Sequence, residues 1–221
     1  MLGNSRDKES VAVIKDVALS SDDEELRKTA AYALGNSESP EAFAALKELV
    51  TASTDYRTQE AALYSMGNIG GEQVEKYLYE TAISNTNDRV ARTALFSLAK
   101  ATGNRSYRNS TFLLDIVRKA KSPEVRKQAL FQIASNRDNH EAVATLVKIA
   151  KESTDGEIQM VAIQVLGQSE NDYAVPVLKD FAKNGVNKRV RSAAVTALGQ
   201  IGTEKAKAAL LEILGVKTKE E

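Results

Sequence analysis

The sequence predicts an all-α solenoid of stacked helical hairpins, and three observations carry that prediction. The first is a period. Leu-Gly or a near equivalent returns at Leu2-Gly3, Leu34-Gly35, Met66-Gly67, Leu98-Ala99, Ile133-Ala134, Leu166-Gly167 and Leu198-Gly199, at intervals of 32, 32, 32, 35, 33 and 32 residues. A fixed spacing in this range marks stacked repeats. The second is a row of helix caps: twelve residues before each Gly-equivalent position stand Asp23, Asp55, Asn87, Ser122, Asp155 and Asn187. Each carries a side-chain oxygen able to accept from the unpaired amides of a helix start. The third is a small residue in every copy: Ala30, Ala62, Ala94, Ala129, Ala162 and Ala194 lie five residues before the same position. An alanine held there reads as a close helix crossing, where a larger side chain clashes.

The elements follow in order. An N-terminal half repeat (1–19) opens directly on a second helix, burying Ile14 and Val17, and about six full helix pairs follow, near 20–51, 52–84, 85–119, 120–152, 153–184 and 185–215. In each pair the first helix runs from its cap. Leu26, Thr58, Val90, Val125, Ile158 and Val190 come three residues after the caps, and the alanine and the Leu, Met or Ile then follow at steps of four. That spacing places all three on one face. The Gly or Ala after them is expected to end the helix, glycine in a left-handed turn that Ala99 and Ala134 adopt less readily. Ser39-Pro40-Glu41 reads as a capped second-helix start with proline at its first position, and Pro123 follows its cap in the same way. Leu46 and Leu49, Leu178 and Phe181, and Leu210 and Ile213 are the expected buried pairs of second helices, with Gly215 closing the last. Pro176 is expected to bend its helix locally. Helices of roughly ten to twelve residues are marginal alone, so neighbouring pairs must supply the missing burial.

Composition narrows the function classes. The chain has 221 residues, 43% hydrophobic and only 5% aromatic, with no Trp, so its core is built from Ala, Leu, Val and Ile. Thirty bases balance thirty acids, which disfavours a dedicated nucleic-acid binder, whose affinity rests on neutralising phosphate. With no cysteine there is neither a disulfide nor thiolate chemistry. No apolar run reaches the length of about eighteen residues that a membrane span needs. The composition assigns no compartment.

The stretches Asp23–Gly35 (DEELRKTAAYALG), Ser122–Ala134 (SPEVRKQALFQIA) and Asn187–Gly199 (NKRVRSAAVTALG) resemble HEAT-like repeats of the phycobilisome-lyase type: a cap, an apolar-Arg pair, an Ala-rich stretch and Ala-Leu-Gly. Weaker copies extend the resemblance over nearly the whole chain. It implies a right-handed α-solenoid (an α-α superhelix) of HEAT-like hairpins, in a class that serves as scaffold, lyase and enzyme alike. The Trp and Tyr signature of tetratricopeptide repeats and the Thr-Pro-Leu-His box of ankyrin repeats are missing. Because Leu2-Gly3 has no first helix ahead of it, the chain is expected to be a fragment of a longer protein.

No catalytic, cofactor-binding or metal-binding residues are assigned. His140 is the only histidine, followed by Glu141. Deoxyhypusine hydroxylase, a relative of this repeat class, holds a di-iron centre with several His-Glu pairs, and one pair cannot do so. His140 is therefore expected at a turn or helix start. Gly67, Gly70 and Gly71 read as an inter-helix turn without the Gly-Lys-Ser/Thr ending of a phosphate loop.

Two features are candidates for partner contact. Three residues before the Gly position come Tyr32, Tyr64, Phe96 and Phe131, then Gln164 and Thr196. Such a column is either a partner-binding stripe, since aromatics anchor interfaces, or packing between repeats. The second is charge segregation: residues 1–86 carry a net of minus seven, residues 87–128 a net of plus seven. The basic stretch contains the long interval, with its insertion around Thr102–Thr111, where Tyr107 stands near Arg105 and Arg108. Arginine stacks on rings and grips carboxylates or phosphates. The alternative is a solvated surface in which acidic and basic blocks neutralise each other. The expected function is a non-catalytic interaction scaffold for another protein or peptide. An accessory lyase or enzyme domain, and nucleic-acid or anionic-ligand binding through the basic central repeat, stand as alternatives.

Overall fold

A computed structural model describes residues 8–37, 39, 41–103, 107–134, 140–169 and 171–215. Among them are thirteen α-helices and no strand: α1 (Lys8–Ser20), α2 (Glu24–Gly35), α3 (Glu41–Ala52), α4 (Tyr56–Ile69), α5 (Glu72–Ser84), α6 (Asp88–Thr102), α7 (Tyr107–Lys119), α8 (Pro123–Ala134), α9 (His140–Glu152), α10 (Gly156–Gly167), α11 (Val175–Asn184), α12 (Lys188–Ile201) and α13 (Glu204–Ile213). The protein is an all-α solenoid of helical hairpins. Its contacts fall into two compact units, Met1–Val125 and Arg126–Glu221. In the first unit α2, α4 and α6 pack successively as first helices, with α1, α3, α5 and α7 as second helices beside them. In the second unit α10 packs on α12, backed by α9, α11 and α13.

All six expected caps operate. Asp23, Asp55 and Asp155 each accept from two backbone N–H groups, and Asn87 and Asn187 from one each. Ser122 accepts from the N–H of Val125 at 3.2 Å. Thr58, the one polar residue in its row, is fully buried because its hydroxyl donates to its own cap, Asp55, at 2.7 Å. The six repeat alanines are buried, as are Leu34, Met66, Leu98, Ile133, Leu166 and Leu198. Pro176 sits early in its second helix, in the first turn of α11, directly after a single 3-10 turn at Asp172–Ala174.

Three expectations need correction. The glycine of the repeat does not provide a left-handed stop. Gly67 and Gly199 lie inside α4 and α12, and Gly35 and Gly167 are the last helical residues, none with positive φ. Positive-φ glycines come later, at Gly70 (φ 63°), Gly103 (74°), Gly202 (67°) and Gly215 (73°), and of the first three only Gly202 is in the left-handed helical conformation. The repeat glycine instead lets two first helices approach. A Cβ on Gly35 would lie 2.4 Å from Cβ of Ser65, one on Gly67 3.0 Å from the Ser97 carbonyl, and one on Gly167 2.6 Å from Cα of Ala197.

The buried face is also wider than the expected stripe. Ala31, Leu63, Leu95, Leu130 and Ile163, four residues before the repeat glycine or alanine, are fully buried, whereas the equivalent Val195 is 40% exposed. Leu26, expected in the core, is 48% exposed. One cause explains both. Within a unit a first helix has a face toward its predecessor and a face toward its successor, and among the described residues no first helix precedes α2 or follows α12. Gly199 accordingly has nothing within 4 Å of its would-be Cβ. The third correction concerns the second helices: Leu46, Leu49 and Leu178 are fully buried and Ile14 nearly so, but Val17, Phe181, Leu210 and Ile213 are only half-buried.

Candidate protein-contact face

The aromatic column lies on the side of the first helices left over once both neighbour-facing sides are buried. Tyr32 on α2 is 46% exposed, Tyr64 on α4 41% and Phe96 on α6 52%. Position alone dictates this. Each ring follows directly on one of the buried residues Ala31, Leu63 and Leu95, a turn of about 100° away around the helix. The rings of Tyr64 and Phe96 stack with centroids 5.7 Å apart and planes inclined by 24°. Packing between repeats and exposure therefore coexist: the rings cover each other's edges and leave their outer faces to solvent. In the second unit Phe131 is likewise exposed, at 45%, and Gln164 and Thr196 are exposed in the same position.

Two cations flank this pair of rings. Lys100, four residues after Phe96 and so on the same face of α6, places Nζ 5.0 Å from the centroid of Tyr64. Arg92, four residues before Phe96, is exposed. The acidic neighbour on α4, Glu60, is already held. It accepts from Nε and Nη2 of Arg89 at 3.2 and 3.0 Å, and from the Thr93 hydroxyl at 3.4 Å. Arg89 also stacks over the ring of Tyr56 at 4.0 Å. On α2, Lys28 is paired with Glu25 at 2.5 Å and Glu24 at 3.5 Å.

Four cations of the basic stretch are neutralised where it is described. Besides Arg89, Lys119 pairs with Asp115 at 2.8 Å in the first unit. In the second, Arg126 pairs with Asp155 at 2.9 Å and Lys127 with Glu157 at 2.5 Å. Arg105 lies outside the described residues. Tyr107 and Arg108 form the first turn of α7, and their side chains, like those of His140 and Glu141 at the start of α9, also lie outside the description.

A structural arginine went unread in the sequence. Arg27 donates through Nη1 to the carbonyl of Ser21 at 2.7 Å and reaches the next repeat's cap, Asp55, through Nη2 at 3.1 Å. Arg126 occupies the same repeat position and grips Asp155, and Arg191 makes the equivalent carbonyl contact, to Gly185 at 2.8 Å. Gln59 substitutes in its copy, donating to the carbonyl of Ser53 at 2.7 Å. The apolar-Arg pair of the motif was the available signal, and its job is to tie a hairpin's turn to the helix start beside it. Burial works to raise the Asp55 carboxyl, but Thr58, the amides of Arg57 and Thr58, and Arg27 outweigh it and hold the group below the ordinary aspartate value. At Asp155 burial is likewise outweighed by the amides of Ile158 and Glu157 and by Arg126. Among the described residues no three His, Cys, Asp or Glu side chains gather as a metal site, and no helix is long and apolar enough to cross a membrane.

The family-model match agrees with this architecture. The family model for HEAT repeats matches residues 1–67, 110–192 and 146–221. No curated protein matches the sequence. Among solved structures, human deoxyhypusine hydroxylase in complex with glycerol is 21% identical, with 93% of this chain and 78% of that one covered and a TM-score of 0.42. The complex of CpcE and CpcF of phycocyanin lyase from Nostoc sp. PCC7120 is 16% identical, with 98% and 86% covered and a TM-score of 0.40. The Escherichia coli protein YibA is 18% identical, with 97% and 78% covered and a TM-score of 0.47. With HEAT-repeat matches spread over most of its length and capped, alanine-lined hairpins in both units, the chain belongs to the HEAT-repeat family.

Proposed function

We propose that this chain is a non-catalytic protein-interaction scaffold, and that the exposed aromatic row of its first helices is the contact surface. The observation that carries this reading is the stacked, half-exposed pair Tyr64 and Phe96, continued by Tyr32 on α2. Large rings held rigidly by neighbours lose little freedom on binding, which is what makes aromatic side chains effective anchors. Phe131 presents the same kind of anchor on the second unit. The paired state of Arg89, Lys119, Arg126 and Lys127 weighs against the basic stretch as a phosphate-binding surface. The test is a four-residue variant, Tyr32→Ser, Tyr64→Ser, Phe96→Ser and Phe131→Ser. It is expected to keep the helical circular dichroism of the parent and to lose partner capture from extracts of the source cells. Capture at the parental level by the folded variant rejects this surface.

A further inference from the structure

Within the aromatic row the charges are unevenly placed, and the unevenness points to a class of occupant. On α6 the exposed positions at successive steps of four are Arg92, Phe96 and Lys100. Among the described residues neither cation has a carboxylate partner, and Lys100 rests only over the Tyr64 ring. The other charges along the row are matched locally: Lys28 by Glu24 and Glu25, Glu60 by Arg89. The α4–α6 segment of the row therefore carries two uncompensated positive charges on either side of two stacked rings.

We propose that the occupant of this segment is an acidic peptide strand with one large apolar or aromatic residue. Its anchor lies on Tyr64 and Phe96, and flanking carboxylates pair with Arg92 and Lys100. This rests on reading the row as a contact surface. Charge complementarity of this kind sets partner choice and register more than it sets affinity. Arginine suits the role through its two-pronged grip on a carboxylate. A single nucleic-acid strand also combines stacking with cations. It is the weaker fit, because such a strand carries a phosphate at every nucleotide, whereas among the described residues this segment offers two unpaired cations, enough for two carboxylates.

The experiment selects twelve-residue peptides from a random display library on the intact chain, on an Arg92→Glu/Lys100→Glu variant, and on a Tyr32→Ser/Tyr64→Ser/Phe96→Ser variant. A labelled twelve-nucleotide oligothymidine is titrated alongside. Peptides recovered on the parent are expected to place Asp or Glu around a central aromatic or large aliphatic residue. Their binding should weaken about tenfold on the charge-reversed chain, where new selections keep the apolar residue but turn basic. Parent selections without an acidic excess, an acidic excess undiminished on the charge-reversed chain, no enrichment at all, or tighter binding of the oligonucleotide than of the best peptide would each overturn the proposal. The serine variant separates the two levels. If the same peptides bind it equally well, the row is not the contact surface. If binding is lost there but indifferent to charge reversal, the surface stands and the acidic occupant falls.

Discussion

The guanidinium of Arg27 lies 3.1 Å from Asp55, the carboxylate that caps the first helix of the next repeat. One aspartate thus ends two obligations, the orphan amides of α4 and the charge of an arginine whose side chain is only 18% exposed. Asp23 caps α2 alone, with no arginine upon it among the described residues. Asp23→Ala is therefore expected to cost about 1 kcal/mol, the ordinary value of a cap. Asp55→Ala should cost about 2–3 kcal/mol, because it also strands a part-buried cation. Urea unfolding of both variants checks this, and equal losses would show that the arginine contributes nothing.

Acid should loosen the same joints. Asp55 and Asp155 are held below the usual aspartate value, and Glu41 and Glu212 are drawn down to about 2 by Lys8 and Ser39 in one case and by Lys179 and Lys183 in the other. A carboxylate depressed in the folded state contributes stability that is complete above its unfolded value of about 4 and disappears as pH falls through the folded value. Stability is thus expected to show no change from these groups between pH 7 and 5, where their contribution is complete, then to fall below about pH 4. Asp55→Asn and Asp155→Asn should each make that fall shallower. An unaltered acid limb in both variants would contradict the assignment.

Ser65 and Ser97 present buried hydroxyls with no hydrogen-bond partner, each against the glycine of the preceding repeat. Ala197 fills the equivalent place against Gly167. A hydroxyl without a partner in the interior costs stability, so Ser65→Ala and Ser97→Ala are expected to be neutral or to stabilise by up to about 1 kcal/mol. A thermal midpoint lowered by several degrees in either would mean the hydroxyl has a partner after all.

The contact row should be separable from the core beside it. Leu63 is fully buried and Tyr64, its neighbour in sequence, is 41% exposed. Leu63→Ala is expected to cost about 2–4 kcal/mol through lost burial and a cavity. Tyr64→Ala should cost about 1 kcal/mol, mainly the ring pair with Phe96. Comparable losses, measured by chemical unfolding, would make the row part of the packing rather than a surface.

What could be read from the sequence was what local chemistry or period dictates. The caps were legible because an oxygen at a helix start answers to amides two and three residues away. The alanines were legible because they recur. The row of Ala31, Leu63, Leu95, Leu130, Ile163 and Val195 was equally periodic and was missed because a single-stripe helix was assumed, whereas a stacked helix buries two flanks. The role of Gly35 was misread for a physical reason: a tight turn and a close backbone approach both demand a missing Cβ, and only the neighbour at Ser65 distinguishes them. The exposed aromatic row was visible as a pattern. The placing of Lys100 over Tyr64 depends on the mutual rotation of α4 and α6, which no single-helix pattern contains.

Near-contact stacking of successive first helices is tested most directly by the matched pair Gly35→Ala and Gly199→Ala, compared by urea unfolding midpoint. Both glycines are helical, but Gly35 faces Ser65 at a distance no Cβ tolerates and Gly199 faces open space. Gly35→Ala is expected to destabilise by about 1–3 kcal/mol through overpacking, and Gly199→Ala to stabilise by about 0.5–1 kcal/mol through helix propensity. A Gly35→Ala chain as stable as the parent or more so would contradict that stacking.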